Sequence, residues 1–193
     1  MELSARIEDQ SELYLRRAEN TTEDAGFLFR LRNDPVTREN SFHKEEIPWE
    51  EHLAWFSRMM EDPDRAQLIL MYKMEPGENV NSEDALQAAE AQPAGQLRLD
   101  RSTDESGHVS AEISYAVSPE LRGCGLGFWI IRLAEEKVKE IFPDVQTLTA
   151  EVLRGNTASE RIFAACGFSV ADKNDQYTTF KKEWKKGLVL KAY

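Results

Sequence analysis

The sequence predicts a mixed α/β fold containing one parallel pair of strands, at about 110 to 117 and 147 to 152, joined by a helix that starts near Gly125. Three observations predict it. Ala111, Ile113, Tyr115 and Val117 alternate with Glu112, Ser114 and Ala116, the period-two pattern of a strand with one apolar face. Beyond Pro119 and a glycine-rich turn, Ile131, Ala134, Val138 and Ile141 form a helical stripe that Pro143 stops. Leu148, Ala150 and Val152 then alternate with Thr147, Thr149 and Glu151. A strand, a long helix and a second strand in that order form a crossover unit, which returns its second strand parallel to the first.

The remaining elements follow in chain order. Leu13, Leu15 and Ala18 roughly alternate with polar neighbours and suggest a first strand, after which Thr21 or Thr22 offers an N-cap with acids in the next turn. The helix so opened runs to about Arg32, where Asn33-Asp34-Pro35 breaks it. Pro48 opens a second amphipathic helix, in which Leu53, Phe56 and Met60 recur at three- and four-residue spacing. Gln67 to Tyr72 and Gly95 to Arg101 read as strands. Between them, residues 74 to 93 are acidic, lack Lys and Arg, and include Pro76-Gly77, which marks an exposed loop insertion with room for a short helix at about 84 to 91. On the long helix, Glu135 and Lys139 are placed to pair on the side away from the stripe. A further helix from Thr157 ends at Gly167, and Phe168 to Val170 and Tyr177 to Trp184 supply closing strands.

Composition narrows the function classes. With 41% hydrophobic and 31% charged residues over 193, the chain is expected to fold as one globular domain. A net charge of -11 argues against a general nucleic-acid binder, and any anionic ligand needs a local basic patch. Cys124 and Cys166 make no disulfide framework, and no Cys/His clusters stand at metal-ligand spacing. No apolar run approaches the ~20 residues that span a bilayer, and residues 1 to 10 lack a basic-then-apolar leader. The expected setting is cytoplasmic, without membrane partner.

Arg122-Gly123-Cys124-Gly125-Leu126-Gly127 lies between a strand and a helix N-terminus, where unpaired N–H groups and the helix dipole favour a phosphate. The turn is neither G-x-G-x-x-G nor a Walker loop, and by itself a structural glycine turn is the plain alternative. The order of elements adds to it. The next strand ends in Glu151-Val152-Leu153-Arg154-Gly155-Asn156, and the following helix carries Ser159, Phe163 and Gly167-Phe168.

On these two blocks the chain resembles the GNAT superfamily of N-acetyltransferases, whose cofactor turn is Arg/Gln-x-x-Gly-x-Gly/Ala and whose second block is an Asn before a helix ending in Gly-Phe. The likeness spans about Leu13 to Lys182 and is most specific over 110 to 168. It implies a mostly antiparallel central sheet with one parallel strand pair, flanked by helices, and a single acetyltransferase domain acting as monomer or homodimer with acetyl-CoA as co-substrate. It also implies that Arg122, Gly123, Cys124, Gly125, Leu126 and Gly127 bind the pyrophosphate, that Tyr115, Ala116 and Val117 pair with the pantetheine arm, and that Asn156 touches the same arm. Glu151, five residues before the Asn, matches a Glu that draws a proton from the substrate amine in several members. Glu112 is a second candidate for that role. A base is needed because a protonated amine, with a pKa of ~8 to 10, has no lone pair with which to attack a thioester.

Each residue also has a plainer role: Asn156 as a helix N-cap, Glu151 on a solvated strand face, Cys124 as a small side chain in the turn, and Cys166 as a small buried one. Phe163 departs from the wider family, where many members carry Tyr and use its hydroxyl to protonate the departing thiolate. Here Phe163 is expected only to pack beside the pantetheine, with water or a residue such as Tyr177 supplying any acid.

For the acceptor amine, residues 31 to 43 and 50 to 56, with softer likeness at 95 to 100 and 111 to 115, resemble members of the superfamily that acetylate nucleotide-linked 4-amino sugars on the route to nonulosonic acids such as pseudaminic acid. That implies substrate contacts from Arg32, Asn33, Asn40 and His43. Physically, Arg30, Arg32 and Arg38 offer charge for a diphosphate, and Trp49 or Trp55 a face for a ring. The acidity of the chain favours instead cationic amines such as protein N-termini, polyamines or aminoglycosides. A non-catalytic acetyl-CoA-binding regulatory module is the remaining alternative.

Overall fold

The computed structural model describes residues 13–73 and 91–183. Strand β1 (Leu13–Arg17) leads into helix α1 (Thr22–Asn33), capped by the Thr21 side chain, which accepts from the Asp24 N–H. Asp34 then caps a short helix, α2 (Pro35–Glu39), by accepting from the Thr37 N–H. The Asp-Pro break in the sequence is thus a restart, because proline at a first helical position loses nothing by lacking an N–H. Helix α3 (Trp49–Glu61) follows, then strands β2 (Arg65–Tyr72), β3 (Gln92–Thr103) and β4 (Val109–Val117). A single 3₁₀ turn (Pro119–Leu121) precedes helix α4 (Leu126–Ile141), which returns to strand β5 (Thr147–Leu153). Helix α5 (Thr157–Ala165) and strands β6 (Ser169–Lys173) and β7 (Tyr177–Glu183) complete the described chain.

The strands form one sheet in the order β1-β2-β3-β4-β5-β7-β6, antiparallel throughout except for β4 against β5. The expected parallel pair is therefore present. Its alternation sorts side chains into two layers. Leu68, Leu70, Leu97, Leu99, Ala111, Ile113, Leu148, Ala150 and Val152 face Ile130, Ile131, Ala134 and Val138 of α4. Ile69, Met71 and Ala116 face the other way, onto Ala25, Leu28 and Leu31 of α1 and Phe56 and Met59 of α3. Each fully buried Leu or Ile contributes about 1.5–3 kcal/mol relative to exposure, so the two layers fix the sheet between the helices.

Three expectations change. In α3 the core face is His52, Phe56 and Met59, whereas Leu53 is exposed, since the helix packs on the sheet one residue out of phase with its most apolar stripe. The segment read as a loop to residue 93 ends earlier, because Gln92 and Pro93 already pair with Tyr72 and Met71. The short helix expected at about 84 to 91 lies, apart from Ala91, outside the described residues. Glu135 turns inward and accepts from Lys182 of β7 at 2.6 Å, tying α4 to the sheet instead of standing on a solvated helix face. Among the described residues no helix is long and apolar enough to cross a membrane.

Candidate active site

Strands β4 and β5 pair only from Ser110 to Glu112 and from Thr147 to Thr149. Beyond that they part, so the β5-facing backbone of β4 from Ile113 to Val117 is left without a ladder partner there. The gap opens on the N-terminus of α4. Gly123 and Gly125 have φ of +79° and +81°, the left-handed region that glycine enters without penalty. Space within 4 Å of where their Cβ atoms would stand is empty. Among the described residues, the backbone N–H groups from Gly123 to Gly127 find no acceptor. Orphan donors, open space and a helix N-terminus together suit a phosphate. Gly127 is glycine for a different reason: a Cβ there would stand 2.8 Å from Ile162 Cδ1 and 3.2 Å from Tyr115, so it lets α4 pack against α5 and β4.

A cavity of about 860 Å³ runs from this turn to the opposite face of the sheet. There the period-two pattern delivers a polar row: Gln67 stands opposite Arg98, Arg98 opposite Ser114, Asp100 opposite Glu112, and Glu112 opposite Thr149. Glu112 and Glu151 both line the cavity. Glu112 opens onto it but is crowded by protein, and that burial, with the charges of Glu151 and Asp100, raises its carboxyl above the ordinary range. Two carboxylates close enough to influence each other, at the end of a cavity that begins in an anion cradle, can take a proton from a group held between them.

Residues 12–169 match the family described as "Acetyltransferase (GNAT) domain". The chain belongs to the GNAT acetyltransferase family. No curated protein matches it in sequence. Among solved structures, it is similar to spermidine N-acetyltransferase from Vibrio cholerae in complex with CoA and spermine (TM-score 0.71, 17% identity, 90% of this chain and 96% of that one). It is also similar to the Campylobacter jejuni N-acetyltransferase PseH (0.61, 15%, 90% and 99%). A third is yncA, a putative acetyltransferase from Salmonella typhimurium with acetyl-CoA (0.64, 17%, 94% and 99%). At these identities the likeness is one of fold.

In this acetyltransferase the expected cofactor residues gather at one end of the cavity. Tyr115, Ala116, Val117, Arg122, Gly123, Gly125, Leu126, Gly127, Asn156 and Phe163 line it, and Cys124 turns aside, its thiol 3.8 Å from the Arg122 carbonyl. Asn156 Oδ1 accepts from the Ser159 N–H at 3.2 Å, so the residue caps α5 while its amide nitrogen remains available to a ligand. The Arg122 guanidinium donates to Asp34 and, at 3.1 Å, to Thr37. It therefore ties the glycine turn to α2. Burial opposes ionisation of Asp34, but Arg122 and the Thr37 N–H outweigh it and hold the carboxyl below the ordinary range.

Phe163 is buried against Tyr115, Phe168 and Phe180, with ring centroids 5.9, 5.1 and 5.6 Å away. The Tyr115 hydroxyl lies 3.0 Å from Ser159 Oγ. Tyr177, offered as a substitute acid, instead packs edge-on to Phe42 and is not among the residues lining the cavity.

The expected acceptor contacts separate. Arg32, Asn40 and His43 line the cavity. Asn33 does not: its amide is held at both ends by the Ile47 backbone, at 3.0 Å each, so it anchors the 40s segment. Of the three arginines proposed for a diphosphate, Arg38 is engaged by Glu46 and the Lys44 carbonyl, and Arg30 is exposed outside the cavity lining. Arg98, from a central strand and paired with Asp100 at 2.7 Å, lines the cavity beside Arg32. Trp55 lines the cavity; Trp49 stacks on His52 behind it. Gln67, Gln96, Arg98 and His52 escaped the sequence reading, although Gln96, Arg98 and Asp100 alternate with the buried Leu97 and Leu99 and carried a period-two signal. Among the described residues, no group of three or more His, Cys, Asp or Glu could hold a metal ion.

Proposed function

We propose that the chain transfers the acetyl group of acetyl-CoA to the primary amine of a nucleotide-linked 4-amino sugar, by direct attack within a ternary complex. The observation that carries the acetyl transfer is the continuous cavity joining the unpaired N–H groups of 123–127 to Glu112 and Glu151. In this reading Glu151, with Glu112 beside it, takes the amine proton directly or through water. The amine nitrogen then bonds to the thioester carbon, whose oxygen is polarised by the backbone N–H near Val117, and the carbon–sulfur bond breaks to release the thiolate. The sugar assignment rests on the resemblance of residues 31 to 43 and 50 to 56, supported by Arg32, Arg98 and Trp55 in the cavity wall.

A second reading, acetylation of a small cationic amine or a protein N-terminus, is favoured by the net charge of -11 and by Glu45, Glu112 and Glu151 in the same wall. Release of free CoA measured with a nucleotide-linked 4-amino sugar, spermidine and a peptide N-terminus decides between them. Turnover on the sugar nucleotide at the highest kcat/KM is expected. Turnover confined to spermidine or the peptide would overturn the acceptor assignment, and saturable acetyl-CoA binding without turnover on any amine would leave the regulatory module.

The buried packing of Phe163 bears on the departing thiolate. A thiol with pKa near ~8.5 leaves without obligatory protonation, so Phe163→Tyr is expected to change turnover by less than about tenfold, equivalent to ~1.4 kcal/mol of barrier. A hundredfold gain on the true acceptor would show that acid catalysis limits the rate.

A further inference from the structure

The acceptor end of the cavity contains three buried polar atoms without a partner among the described residues. His52, 1% exposed, places one ring nitrogen, Nε2, 2.9 Å from the Ala25 carbonyl. A carbonyl can only accept, so Nε2 carries the hydrogen and Nδ1 is left as a lone pair; that atom is buried and has no partner. Burial and the charge of Arg32 both depress the His52 pKa, which keeps the ring in this neutral form. Gln67, 3% exposed, donates its amide nitrogen to the backbone carbonyls of Leu68 and Leu97, at 3.3 and 3.2 Å. Those contacts fix the amide orientation, and the remaining oxygen, Oε1, is buried without a donor. Arg32 gives Nη2 to the His43 carbonyl at 2.8 Å, whereas its Nη1 is buried without an acceptor.

The three belong to one place. All line the same cavity. Arg32 is near enough to His52 and to Arg98 for their charges to act on one another, and Arg98 stands opposite Gln67 in the sheet register. Trp55 adds an aromatic face whose ring centroid is 5.6 Å from that of His52. A buried polar atom without a partner costs stability, so such a group in a native cavity is the mark of a ligand that completes it.

The pattern of two acceptors beside a cationic donor selects the ligand. A carboxylate would satisfy Arg32 but set its lone pairs against those of His52 and Gln67. An ammonium would satisfy both acceptors but meet the positive charge of Arg32, whose Nη1 it leaves unpaired; Arg98 is already paired with Asp100 at 2.7 Å. A pair of neighbouring hydroxyls donates one hydrogen to each acceptor and offers lone pairs to Arg32, and it alone of these groups suits all three. We infer that His52, Gln67 and Arg32 form a hydroxyl-binding subsite, beside Trp55, which holds the acceptor by a polyhydroxylated ring and rejects amines that lack hydroxyls. This inference rests on the acetyl-transfer reading above for the identity of the cavity and deepens it by naming the group recognised.

Two ring amines of like size test it in the presence of CoA: a methyl glycoside of a 4-amino-4,6-dideoxyhexose, and cyclohexylamine. By calorimetry, the glycoside is expected to bind at least ~30-fold more tightly, because leaving three buried groups unpaired penalises the bare ring. Gln67→Leu and Arg32→Gln should each remove most of that preference while CoA affinity and the thermal transition are retained. Arg32 is only half-buried, so its variant keeps the test open if Gln67→Leu does not fold. In the unsubstituted protein, titration of the glycoside to saturation should shift the ¹⁵N resonance of His52 Nδ1, and cyclohexylamine should not. Equal binding of the two amines, a preference that survives both substitutions, or an unmoved Nδ1 resonance would overturn the subsite. If the transfer reading failed instead, no amine would turn over, yet the binding preference and the Nδ1 shift would remain.

Discussion

Glu151→Gln should lower kcat/KM by about a hundredfold or more near neutral pH, within the range of general base catalysis, and the loss should shrink as pH rises. The dependence follows from the acceptor: a base matters while the amine is protonated and loses importance once solvent has removed the proton. The two carboxylates add a second signature. Glu112 titrates above the ordinary carboxylate range through burial, then through the charges of Glu151 and Asp100. Neutralising Glu151 removes one of the charges that raise it, so the Glu112 pKa falls. The acidic limb of the residual activity should accordingly move to lower pH. Full pH profiles of kcat/KM for the two proteins provide the measurement. A loss that does not vary with pH would remove Glu151 from the role of base, and an acidic limb that stays in place would show that the two carboxyls do not act on the same proton.

Gly125→Val should weaken acetyl-CoA binding by about a hundredfold or more, because at least two charge-assisted hydrogen bonds to the pyrophosphate would be displaced. The added side chain enters space that is empty in the protein alone, in the middle of the turn that carries the orphan N–H groups. Folding also bears a cost, since φ at Gly125 is +81°, a region where a β-branched residue is strained by about 1–2 kcal/mol. Gly107 offers a matched control. It has the same φ, nothing within 4 Å of its Cβ position, and a place in the β3–β4 hairpin away from the cavity lining. Gly107→Val should lose comparable stability in urea denaturation without loss of acetyl-CoA affinity in calorimetry. Equal losses of affinity in the two variants would mean that strain, and not occupation of a phosphate site, explains the Gly125 effect.

What could be read from the sequence was local. The glycine turn, the Asn156 cap and the alternation in β4 and β5 are set by residues within a few positions of one another, and each declares its own geometry. The two carboxylates were visible for the same reason: on strands with one apolar face, Glu112 and Glu151 must point to the other. What was not legible depends on partners distant in the chain. Gln67, Arg98 and Ser114 meet only through the register of three strands, and His52 turns inward because α3 packs on the sheet a residue away from its apolar stripe. Nor does the turn itself declare that the Arg122 side chain is held by Asp34, 88 positions earlier. Asn33 looked like a substrate contact and is instead an anchor for Ile47, because a long-range backbone pairing claimed both ends of its amide.

In the proposed reading, residues 123–127 and the parting of β4 from β5 hold acetyl-CoA and direct its thioester to Glu112 and Glu151. A crystal structure of the complex with CoA tests it most directly. The pyrophosphate oxygens should lie within hydrogen-bonding distance of the N–H groups between Gly123 and Gly127, with the pantetheine arm beside β4 from Ile113 to Val117 and its sulfur on the Glu151 side of the gap. A pyrophosphate bound anywhere else on the molecule, with the turn empty, would contradict the account.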